Sequence, residues 1–182
     1  MAIINIPELF LPVAAVVNAK FSTRGEDPFS VFFDYGHYIE VTRNLIQKEN
    51  SISQKDKKYP LIWLVMDFPE RFDRQSIGYC QLPRLDFIIA VPTEPELSTP
   101  ERITKNFKPR LYPIYEAFMN AIVTSNIFYE QSLSELEYEK IDRPYWGGQD
   151  SNGNGQANLF NDKIDAVQIR GLKLTVINSL PC

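Results

Sequence analysis

Residues 59–68, YPLIWLVMDF, carry apolar side chains at almost every consecutive position, between two lysines and a Pro-Glu break. A strand with one wet face alternates apolar and polar residues, so a run without alternation reads as a strand covered on both faces. It must lie centrally in a sheet, with helices or a partner subunit against it. Residues 85–93, LDFIIAVPT, repeat the pattern and are stopped by Pro92 and Pro95. Two such strands predict a layered core.

The covering elements can also be read from period. Leu9, Val13, Val16 and Val17 share one helical face, which predicts an N-terminal helix over about 7–19 with Pro7 in its first turn. SVFFDYG reads as a strand ending at Gly36. In HYIEVTRNLIQKEN, Tyr38, Val41, Leu45 and Ile46 fall on one helical face and Glu40, Arg43, Asn44 and Lys48 on the other. Ser98 and Glu101 have capping-box spacing around Pro100, which starts a further helix. Pro109 and Pro113 predict two helical pieces with a bend, the second running to about residue 125.

From 127 to 146 the pattern is weak, with some alternation in LSELEYEKI, and GGQDSNGNGQAN predicts a long polar loop over about 147–158. The last run alternates as Val167 and Ile169, then slips phase at Gly171 to Leu172, Leu174 and Val176, which predicts a β-bulge. The reading is a single α+β domain over 1–182, a central mixed β-sheet covered by helices.

With a net charge of −4 and a pI near 5.1, a role that grips a phosphate backbone is not expected. The lysines of QKDKKY read as a solvated loop. IINIPELFLPVAAVV lacks a basic leader and contains Pro7, Glu8 and Pro12, so it does not read as a signal peptide. It is also shorter than the roughly 20 apolar residues of a membrane span. No membrane association is expected.

Catalytic patterns are weak throughout. His37 is the only histidine, with Asp34 and Glu40 nearby in sequence, and reads as a surface or half-buried residue at a helix start. Cys80 and Cys182 are the only cysteines, too few for a disulfide framework, and GYCQL offers no nucleophile context for a pairing with His37. Asp142, Asp150, Asp162 and Asp165 lie in one third of the chain, but an acid–base pair needs a defined separation in space. DSNGNG, residues 150–155, matches the opening of a calcium loop, whereas Asn161 stands where a bidentate glutamate should close it. No residue is assigned to catalysis, cofactor or metal. The alternatives are a small Asp/Glu-dependent enzyme and a monomeric adaptor binding a peptide along a sheet edge.

FDYGHYIEVTRNL, KKYPLIWLVMDF, RITKNFKPRLYPIY and NDKIDAVQIRGLKLTV together, over roughly residues 29–178, resemble tailed-phage tail-terminator, tail-completion and head–tail neck ring proteins, in the style of crAss-like phage necks. That resemblance implies a tail-terminator-like α+β fold, a ring of six- or twelve-fold symmetry and no enzyme activity. It implies portal, connector or tail proteins as neighbours, DNA passing through the lumen without specific binding, and a place in the virion neck after assembly in the bacterial host cytoplasm. Leu9, Val13 and Val16, with the 147–158 loop, are the expected subunit contacts.

Overall fold

The computed structural model describes residues 5–25, 27–51, 54–72, 79–147 and 162–177. The chain forms α1 (Ile6–Ser22), β1 (Phe32–Gly36), α2 (Tyr38–Glu49), β2 (Leu61–Val65), β3 (Arg71–Phe72) and β4 (Tyr79–Pro92). A long helical run follows, made of α3 (Thr99–Arg102), a π-helical stretch (Ile103–Leu111) and α4 (Tyr112–Thr124). It ends with β5 (Glu137–Trp146) and β6 (Ile164–Ile177). The strand order is β1-β2-β4-β6-β5, with β3 also paired to β4. β1 and β2 are parallel, joined across α2, and the other pairings are antiparallel, so the sheet is mixed and the fold α+β.

The apolar run lies in β2, between β1 and β4. Leu61, Ile62, Trp63 and Leu64 are all 0 % exposed. Burying a leucine or isoleucine in this way contributes about 1.5–3 kcal/mol each. Alternate residues serve opposite faces of the sheet. Ile62 and Leu64, with Phe87, Ile89 and Val91, pack on the side of α1 and α4. Leu61 and Trp63, with Ile88 and Ala90, pack on the side of α2, under Val41 and Leu45. The coverage expected from the missing alternation comes from this chain's own helices.

The bulge expected at Gly171 is present. Pairing of β4 with β6 shifts between Leu85–Leu172 and Phe87–Ile169, which places Arg170 and Gly171 opposite Asp86. The Gly171 N–H, freed from the ladder, donates to Asp86 Oδ1 at 2.7 Å. A compensating shift between Leu82–Leu174 and Leu85–Leu172 sets Pro83 and Arg84 opposite Lys173. Pro83 therefore occupies one of the few strand sites that tolerate a residue without an N–H.

Three sequence expectations are corrected. The helical run from Thr99 to Thr124 is continuous and does not split at Pro109 and Pro113. A proline lacks the N–H for the carbonyl four residues back and crowds it. Here the turns around Pro109 widen to π spacing, with the Tyr112 N–H bonding to the Phe107 carbonyl, and the helix carries on. β4 starts at Tyr79, six residues before the strand expected over 85–93, because its first half holds the bulge and the polar Gln81 and Arg84. Ile46, assigned to the inner stripe of α2, is 38 % exposed on its outside.

Candidate functional site

Among the described residues, α1 presents an unusual surface. Its inner side, Ile6, Phe10, Val13, Ala14, Val17 and Phe21, is buried against α4 and β1. Phe10 meets the Phe87 ring edge-on at 4.9 Å and stacks on Phe128 at 5.3 Å. Asn18 fixes the helix along its axis by accepting the Val31 N–H at 2.9 Å. The outer side would ordinarily be polar. Instead, between Glu8 and Lys20 every exposed position is apolar: Leu11, Pro12, Ala15, Val16 and Ala19. Leu11 is 49 % and Val16 59 % exposed.

Of the expected subunit contacts, only Val16 lies on this outer side. Val13 is 1 % exposed and belongs to the core, and Leu9 is half-buried against it. The heptad-like spacing of Leu9, Val13 and Val16 thus spans the boundary between the two sides of an apolar helix. Leu11, Pro12, Ala15 and Ala19, which the sequence reading did not single out as contacts, are the other exposed residues of this side. The available signal was an excess of apolar residues over what one face can hold. The 147–158 loop lies outside the described residues except for Gly147.

The candidate chemical groups are held apart. His37 is exposed at the start of α2, its ring 4.2 Å from that of Tyr38. It borders a cleft of about 180 Å³ with Asp67, Arg84 and Asp86. Asp34 faces elsewhere, accepting the Tyr35 N–H at 2.9 Å and lying 3.8 Å from Lys48. Cys80 is buried in β4, where burial and then the charge of Glu70 push its thiol up, away from the reactive thiolate. Cys182, Asp150 and the DSNGNG segment lie outside the described residues.

The remaining aspartates each sit in a separate, satisfied network. Asp142 accepts the Tyr112 hydroxyl at 2.8 Å and the Lys140 ammonium at 2.6 Å. Asp162 takes Lys58 at 2.7 Å and the Tyr59 hydroxyl at 3.0 Å, while Lys58 also reaches Glu49 at 3.0 Å. Lys58 is therefore turned inward, 8 % exposed, and is not part of a basic patch. Asp165 is 0 % exposed and accepts Thr93 at 2.8 Å, Asn106 at 2.6 Å and the Tyr145 N–H at 2.8 Å. Arg102 lies 3.5 Å from it, donates to the Thr93 hydroxyl and the Glu94 carbonyl, and stacks 4.5 Å from the Tyr145 ring.

Among the described residues no three His, Cys, Asp or Glu side chains are grouped to hold a metal ion. Among the described residues no helix is long and apolar enough to cross a membrane. No family model, characterised protein or solved structure matches the chain.

Proposed function

We propose that the protein is a structural virion component of a tailed phage, a ring subunit of the head–tail neck that ends or joins the tail and connects it to the portal complex. The observation that carries this reading is the outer side of α1, a strip free of charge from Leu11 to Ala19 on a helix whose other side is already in the core. Contiguous exposed apolar surface on a folded domain marks a contact with another macromolecule. The sequence resemblance to neck ring proteins names the assembly in which such contacts operate. Its neighbours are then further copies of itself and the adjoining portal, connector or tail proteins, and the net charge of −4 suits a bore through which DNA passes without being held.

Electron microscopy of the purified protein, alone and on neck complexes, tests this. Class averages with six- or twelve-fold symmetry and an open bore are expected. A monomer or a two-fold dimer under both conditions overturns the reading.

A further inference from the structure

We infer that the ring is built front to back, the outer side of α1 in one copy docking on the outer side of α2 in the next; this rests on the ring reading above. α2 carries two exposed isoleucines among the polar Glu40, Arg43, Gln47 and Glu49 of its outer side. Val41 and Leu45 face the core, while Ile39 and Ile46, 49 % and 38 % exposed, are seven residues apart and so lie on one outward line. The two helices occupy opposite faces of the sheet, because α1 packs over Ile62 and Leu64 and α2 over Leu61 and Trp63.

Charge fits the same pairing. Glu8 lies on the outward line of α1 with Ala15 and Leu11, and Arg43 lies between Ile39 and Ile46 on α2; both are exposed. Neither has an ion-pair partner within the chain among the described residues; Glu8 only accepts a hydrogen bond from Asn5. An outward line of Glu8, Leu11 and Ala15 therefore faces away from one side of the molecule, and a line of Ile39, Arg43 and Ile46 from the other, with Glu40 to its side and Glu49 held by Lys58.

The sheet edges are poorer candidates. β5 lines its edge with Glu137, Glu139, Lys140 and Arg143, includes Pro144 and has irregular pairing near both ends, all devices that discourage strand addition. β1 has only five residues. Joining two different patches on opposite sides is a heterologous contact. Repetition of such a contact closes into a ring when the rotation between copies divides the circle.

Mass photometry of the full chain and of two surface variants, Val16→Glu on α1 and Ile46→Glu on α2, tests the pairing, with circular dichroism confirming that each variant folds. Each variant alone should be monomeric, its self-association weakened at least about tenfold. Mixed, they should form a heterodimer and nothing larger, since the intact α1 of one meets the intact α2 of the other. Glu8→Arg and Arg43→Glu should each weaken assembly, and the doubly reversed chain should recover it. A mixture that stays monomeric overturns the inference. A wild type that assembles while either variant assembles equally well overturns the pairing and leaves the ring standing. A wild type that remains monomeric, alone and on neck complexes, overturns both.

Discussion

Asp165 shows what a single buried residue does here. Its carboxylate joins β6 to Thr93 after β4, to Arg102 and Asn106 of the helical run, and to the backbone of β5 at Tyr145. Removing one partner of a buried pair leaves the other charge uncompensated, which typically costs about 3–5 kcal/mol. Asp165→Ala should therefore lower the unfolding free energy by about that amount, read as a fall in the urea midpoint at unchanged m-value. A shift no larger than that of a surface substitution would count against the network. Lys58 and Tyr59 give the protein a pH dependence. Burial pulls the Lys58 ammonium down, but its hydrogen bonds to Asp162 and Glu49 and their charges outweigh this and leave it raised. Burial, then the charge and hydrogen bond of Asp162, hold the Tyr59 phenol protonated well above its ordinary value. Both protons are bound more tightly in the folded chain than in the unfolded one, so this stabilisation is complete below about pH 10 and declines as pH rises above it. Tyr59→Phe should flatten the alkaline decline, compared by urea midpoints from neutral to alkaline pH. Identical slopes in variant and wild type would refute the tyrosine's part. The sequence placed His37 correctly at an exposed helix start, but could not show that Lys58 turns inward. Local spacing is blind to a partner as distant along the chain as Asp162.

At the scale of elements, Gly36 joins β1 to α2 with φ +144°, a region closed to side chains. A Cβ there would lie 3.1 Å from Glu40 Oε2 and 3.5 Å from Val41 Cγ2. Its carbonyl also accepts the Trp63 indole N–H at 3.0 Å and the Met66 N–H at 3.1 Å. Gly36→Ala is expected to cost about 1–3 kcal/mol by chemical denaturation. Gly171 differs: its φ of +67° meets open space, so Gly171→Asn should be nearly neutral, asparagine being able to adopt that conformation. Equal losses at the two sites would show that the crowding at Gly36 is immaterial. The bulge at Gly171 was legible because a phase slip in an alternating strand is a local pattern. β5 was not, because an edge strand facing water needs charges more than alternation. The capping box at Ser98 was legible for the opposite reason. Glu101 accepts the Ser98 hydroxyl at 2.7 Å and its N–H at 2.8 Å, and both bonds lie within one turn.

At the scale of the whole molecule, a mixed sheet with helices on both faces buries most of the apolar surface of its strands, and Leu11, Val16, Ile39 and Ile46 stay exposed on the helices. The sequence by itself determined that β2 must be covered on both faces, that helices supply the layers around it, and where β6 bulges. These follow from hydrophobic period and backbone stereochemistry, which act over a few residues. Only the tertiary structure decided which sides of α1 and α2 remain open, because both helices carry apolar residues around more than one face and the choice depends on which of them the sheet and α4 can reach. It also decided the Asp165–Arg102 and Lys58–Asp162 pairs. Those partners are distant in sequence and meet only because the strand order sets β6 beside β4, and the free energy of a charge pair depends on the burial that this neighbourhood creates.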